Sequence, residues 1–136
     1  MQHLTWTSDL NLGIDVIDGQ HRLIADYLNR LADAKKKGDT AAIAEVFEQT
    51  SDYALFHFGF EESLLEEAGY DLLDTHRKAH NVFIVQVHAL QLRFRAGEDC
   101  VEALHTLLAS WLFNHIRKED RAYVDAVKAY LGATHH

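Results

Sequence analysis

The sequence predicts an all-α fold, an up-down-up-down antiparallel four-helix bundle with an extended N-terminal arm and a short C-terminal helix. Three observations predict it. None of the 136 residues is proline and only seven are glycine, so nothing in the chain forces a helix to break. Apolar residues recur at helical spacing in four long segments. The gaps between those segments are short and carry glycine, which makes consecutive helices antiparallel neighbours. The period-two alternation and turn clusters of a β fold are absent.

The elements follow in order along one domain spanning 1–136. Residues 1–17 form the arm: Trp6, Leu10, Leu12, Ile14, Val16 and Ile17 are apolar but keep no sustained period, which suits a segment laid across a bundle core. The bundle occupies 18–131. Asp18 is the expected N-cap of the first helix, which runs to Lys37 with an apolar stripe of Leu23, Ile24, Tyr27, Leu28 and Leu31. Lys35, Lys36 and Lys37 suit the negative end of the helix dipole, and Gly38 supplies the left-handed stop. Asp39 or Thr40 caps a second helix reaching about Ala68, closed by Gly69. Asp74 or Thr75 caps a third, to about Ala96, closed by Gly97. Glu98 or Asp99 opens a fourth that reaches at least Arg117. A last helical stretch over 120–131 continues it or bends away, and 132–136 form a tail.

The bulk properties exclude several functions. A formal net charge of −8 disfavours nucleic acid and anionic membrane surfaces, whose phosphates need basic partners. No segment has transmembrane length, so no membrane insertion is expected. The lone Cys100 has no internal partner for a disulfide, and the N-terminal residues lack a basic region followed by an apolar stretch. A cytoplasmic protein is the expectation. His135 and His136 at the C-terminus carry no functional weight in this reading.

Five histidines and two carboxylates carry the chemistry: His21, His57 with Glu61, His76 with His80, and His115 with Asp120. Residues four apart differ by about 40° around a helix, so His57 and Glu61 share a face, as do His76 and His80. His76 and His80 alone would fit zinc or haem as well as iron. The whole set offers seven ligands on four helices, enough for two metal ions. Imidazole with carboxylate suits iron better than magnesium or calcium, and the scarcity of thiolate argues against a zinc ribbon or an iron–sulfur cluster. His115 and Asp120 are five apart, about 140° in a regular helix, which is poor for chelation. A bridging role for the carboxylate, or a local π-type turn, would reconcile them. If both carboxylates and an oxygen bridge two octahedral ions, five imidazoles fill five of the six remaining positions and one stays open. Ile24 and Leu28 share the face of His21, Phe83 and Ile84 follow His80, and Trp111 and Leu112 precede His115, so the site is expected in an apolar interior. His3, His88 and His105 lack a partner in pattern and are expected to play no part.

These motifs resemble the hemerythrin family, in particular its single-domain bacterial members, the bacteriohemerythrins. The matching text is Trp6, Gly13-Ile14-Asp15 and Ile17-Asp18-Gly19-Gln20-His21, then His57-Phe58-Gly59-Phe60-Glu61-Glu62, His76-Arg77-Lys78-Ala79-His80, and His115-Ile116-Arg117-Lys118-Glu119-Asp120. The resemblance covers essentially the whole chain. It implies a non-haem pair of iron ions (Fe2+/Fe3+) with an oxo or hydroxo bridge, binding O2 reversibly. By position it implies that His76, His80 and His115 hold one iron and that His21 and His57 hold the other, where O2 is carried as peroxide. Glu61 and Asp120 bridge them. Tyr123 matches a family tyrosine near those carboxylates; Trp111, Ile24 and Leu28 belong to the expected pocket.

Carrier or store is the first reading, with O2 as the partner, an unknown protein recipient and no enzymatic turnover. A di-iron oxidase or peroxidase is the alternative. Five neutral imidazoles against two carboxylates stabilise Fe(II) and tilt the reading towards reversible binding, since ferritin-like oxidases use four carboxylates and two histidines. A sensor acting through a partner protein is a third reading.

Overall fold

The computed structural model describes residues 4–134. After a short 3-10 turn at Ser8–Leu10, the helices are α1 (Asp15–Lys37), α2 (Thr40–Glu67), α3 (Leu73–Arg95) and α4 (Val101–Ser110). A π-helix then spans Trp111–Asp120, a 3-10 turn Arg121–Tyr123, and α5 Val124–Thr134. α1 packs on α2 and α4, α2 on α3, and α3 on α4, which closes a four-rod bundle whose last rod is α4 with its π-helical extension. None of the described helices is long and apolar enough to cross a membrane.

Several helix starts depart from expectation, in two cases because the expected capping carboxylates do other work. α1 starts at Asp15, and Asp18 is not its N-cap but sits within its first turn. There its carboxylate accepts from Leu12 N at 2.7 Å and Gly13 N at 3.0 Å, tying the arm to the helix that follows. Gly13 makes that turn with φ 84, a conformation that L side chains rarely adopt. α3 has Leu72 at its N-cap position with no side-chain cap, so neither Asp74 nor Thr75 caps it. Asp74 instead lies 3.7 Å from Arg77. Asp99 accepts from Val101 N at 3.2 Å, but the helix starts only after Cys100. Asp39 does cap α2, accepting from Ala42 N at 3.0 Å, and Gly38 closes α1 with φ 65. The final helix starts at Val124, later than Asp120, because the π-helix and the 3-10 turn intervene.

The arm covers the bundle as a series of anchored contacts. Leu4 N donates to Asn29 Oδ1 at 2.7 Å, and Asn29 Nδ2 returns a bond to Leu4 O at 2.9 Å. Leu10, Leu12, Ile14 and Ile17 are buried, whereas Val16 is exposed. Leu23 also faces solvent, contrary to its place in the expected stripe: two residues after His21 it lies about 200° around α1. Ile24, Tyr27, Leu28 and Leu31 are buried as expected. Two apolar clusters result. The larger joins Ile24, Leu28, Phe47, Phe58, Phe83, Leu108, Trp111 and Leu112 through the bundle. The smaller, Leu12, Ile14, Ile17, Leu65, Tyr123 and Val127, closes one end. Burying a side chain such as Leu28 or Phe58 stabilises the fold by roughly 1.5–3 kcal/mol each.

Candidate metal centre

Four helical segments bring the seven side chains to one buried place between the two apolar clusters. His21 comes from α1, His57 and Glu61 from successive turns of α2, His76 and His80 from successive turns of α3, and His115 and Asp120 from the π-helix. All seven are buried, with Glu61 and His21 wholly inaccessible. The π-helix resolves the awkward five-residue spacing. Its i→i+5 hydrogen bonds widen the turn, so residues five apart come towards one face. His115 Nε2 lies 3.0 Å from Asp120 Oδ1 as a result.

Each carboxylate divides its two oxygens between two sets of imidazoles. Glu61 Oε1 faces His76 Nε2 at 2.7 Å and His80 Nε2 at 3.1 Å. Glu61 Oε2 faces His57 Nε2 at 3.2 Å and His21 Nε2 at 3.7 Å. Asp120 repeats the pattern: Oδ1 lies 2.8 Å from His76 Nε2, and Oδ2 lies 3.1 Å from His21 Nε2. Among the described residues, ligand atoms of Glu61, His76, His80, His115 and Asp120 lie within 4.8 Å of one another, as do those of His21, His57 and Glu61.

These groups fit metal ions better than they fit each other. His21 Nε2, His80 Nε2 and Asp120 Oδ1 are buried and form no hydrogen bond, although each has an oppositely charged or polar atom nearby. The atoms are close but out of line, as lone pairs are when they converge on shared points between them. Two buried carboxylates with five imidazoles form a donor set for cations, and buried charge needs such compensation.

The electrostatics agree. Burial alone would push the His21 pKa down, but Asp120 and Glu61 outweigh it and raise it to about 9. His76 is likewise raised to about 10 by the same two carboxylates against burial. Burial dominates at His57 and lowers it. Burial acts to raise both carboxyls, yet the surrounding imidazoles hold Glu61 and Asp120 well below the usual carboxylate range. Without metal, then, protons occupy this cage.

The surrounding residues are aromatic. Trp111 stacks on His115 at 3.7 Å between ring centres and 13°, and Phe58 stacks on His80 at 3.9 Å and 6°. Ile24 and Leu28 lie in the same apolar cluster as Phe58 and Trp111. Tyr123, fully buried, donates from its hydroxyl to Glu61 Oε2 at 3.1 Å. Among the described residues, His88 and His105 belong to neither ligand group. His3, His135 and His136 lie outside the described residues.

Three residues in contact with the cage carry no ligand signal in the sequence. Gln20 Oε1 contacts His57 Nδ1, Glu62 Oε2 lies 3.1 Å from His80 Nδ1, and Tyr53 stacks on His57 at 5.0 Å and 17°. Gln20 and Glu62 each reach across to a neighbouring helix, so periodicity within one helix does not expose them. Their sequence signals are adjacency, Gln20 beside His21 and Glu62 beside Glu61, and their place in the motifs that carry the family resemblance.

Comparison with known proteins agrees with this geometry. Residues 12–127 match the model of the hemerythrin HHE cation binding domain. The chain is 52% identical over 131 residues to a bacteriohemerythrin of Stenotrophomonas maltophilia (strain R551-3), covering 96% of this chain and 86% of that one. It is 31% identical to a bacteriohemerythrin of Methylococcus capsulatus (strain Bath), covering 95% and 100%. A crystal structure of wild-type hemerythrin superposes with a TM-score of 0.85 at 28% identity, covering 93% of this chain and 98% of that one.

Proposed function

This chain belongs to the hemerythrin family, and from that premise we propose that it binds O2 reversibly, as a carrier or store, at a non-haem di-iron centre. The observation that carries the proposal is the division of both carboxylates between two imidazole sets. His76, His80 and His115 would hold one iron, His21 and His57 the other, and Glu61 and Asp120 would span both. With the imidazoles shared three and two, the half built from His21 and His57 would have one protein ligand fewer and would be the half open to O2. The iron pair, when bound, supplies the electrons that hold O2 and recovers them on release.

The chain's own residues set the conditions. Five neutral imidazoles favour the ferrous state, which suits a binder rather than an oxidase and supports reading the protein as no enzyme. Tyr123 fixes the orientation of Glu61 through its hydrogen bond. Ile24, Leu28 and Trp111 are buried and supply an apolar wall that keeps water from the site. No observation favours a sensor role. A cytoplasmic location, suggested by the lone Cys100, belongs to the same proposal.

An optical experiment tests this. The protein is loaded with Fe(II) without oxygen and should be colourless. O2 should produce a charge-transfer band that argon removes, through repeated cycles. Irreversible conversion to a diferric form with stoichiometric release of hydrogen peroxide would overturn the carrier reading in favour of an oxidase.

A further inference from the structure

The two halves of the cage are backed by different charges. His80 and His57 both turn Nε2 towards Glu61, at 3.1 Å and 3.2 Å. With Nε2 as the ligand atom, the ring proton sits on Nδ1 and needs an acceptor. His80 Nδ1 donates to Glu62 Oε2 at 3.1 Å, a carboxylate. His57 Nδ1 donates to Gln20 Oε1, a neutral amide. Glu62 is itself held in place, since Arg77 Nε donates to Glu62 Oε1 at 3.2 Å and Arg77 Nη2 donates to Glu66 at 3.5 Å.

These acceptors are not the only groups that hold the rings. Phe58 stacks flat on His80, and Tyr53 stacks on His57, so aromatic packing already fixes both planes. Nor does every imidazole of the cage have such a partner: His21 Nδ1 is buried with none. What the two acceptors change is charge. A carboxylate draws the Nδ1 proton more strongly than an amide does and makes Nε2 the better electron donor.

We propose that Glu62 and Gln20 are positioning residues that make the two halves unequal in their hold on metal. Glu62, acting through His80, strengthens the grip of the half built from His76, His80 and His115. Gln20, acting through His57, leaves the half built from His21 and His57 with the weaker grip, so its ion leaves first. The weaker half is also the one short of a ligand, so both effects favour exchange at the same end. This inference rests on the two-ion reading above.

Release of iron tests it without reference to O2. Protein loaded anaerobically with two equivalents of Fe(II) is mixed with an excess of a chromogenic ferrous chelator. The parent should lose iron in two phases. Glu62→Gln keeps an acceptor of the same shape and removes the charge; its slow phase should accelerate about tenfold with the fast phase unchanged. Gln20→Glu adds the charge at the other half and should slow the fast phase about tenfold with the slow phase unchanged. A slow phase within twofold of the parent in Glu62→Gln, or both phases moving together in either variant, overturns the inference. Gln20→Glu alone decides it if Glu62→Gln does not fold. A parent that takes up fewer than two irons overturns the two-ion site itself. A parent that holds two irons and lacks a reversible O2 band overturns the carrier reading and leaves this inference standing.

Discussion

At the scale of single residues, Glu61 has the most neighbours that depend on it. Its two oxygens face four imidazoles and accept from Tyr123. Glu61→Ala removes a carboxylate that faces four of the five imidazoles, so neither iron would keep a full shell. Iron bound per chain should fall close to zero. His88→Ala, on the exposed side of α3, should bind iron as the parent does. Metal analysis after desalting checks both, and undiminished iron in Glu61→Ala would remove the bridging assignment. Tyr123→Phe makes a smaller change. It deletes one buried hydrogen bond to a charged acceptor, and the metal-free fold should lose about 1.5–3 kcal/mol in urea unfolding; an unchanged midpoint would mean that the hydroxyl contributes nothing there. The clustering of His57 with Glu61 and of His76 with His80 was legible because residues four apart must share a helix face. Gln20 and Glu62 were not, because their hydrogen bonds cross between helices and leave no period.

At the scale of elements, the fourth rod is the unusual one. Its apolar residues read as one helix past Arg117, and only the five-residue gap between His115 and Asp120 signalled trouble. The structure answers with a π-helix over Trp111–Asp120. Such segments are rare and often sit at functional sites, because wider turns sacrifice packing along the helix axis. Here the wide turn places two ligands together, so bound metal should repay its instability. Amide hydrogen exchange across 111–123 should slow on metal loading by more than it does at the Lys37 end of α1 or the Thr40 end of α2, far from the cage. Equal protection in all helices would show that the π-helix is stable by itself. Helix starts were the least legible feature for a related reason. Asp18, Asp74 and Asp99 have capping chemistry, but side-chain and arm contacts claim the first two and the chain geometry delays the third.

At the scale of the whole molecule, the antiparallel bundle was legible from helix length and short glycine-bearing gaps, since four long amphipathic rods have few other ways to bury their apolar stripes. The same spacing placed the imidazoles and carboxylates in an apolar interior, and enclosing them there links stability to pH. In the metal-free protein His21 and His76 are raised to about 9 and about 10, against 6.5 in an unfolded chain. A group whose folded pKa is raised stabilises the fold fully below the unfolded value and ceases to do so as pH rises through the folded one. The metal-free protein should therefore lose Tm between pH 6.5 and 10. Bound metal removes the dependence, because it displaces those protons and competes best where they are already gone. The loaded protein has no raised imidazole pKa left to lose in that range. The gap in Tm between the Fe(II)-loaded and metal-free forms, measured anaerobically, should thus widen steadily from pH 6.5 to 9. A gap that stays constant would mean that the imidazoles do not exchange protons for metal, and a gap that narrows would mean that the cage binds its cations through groups other than these.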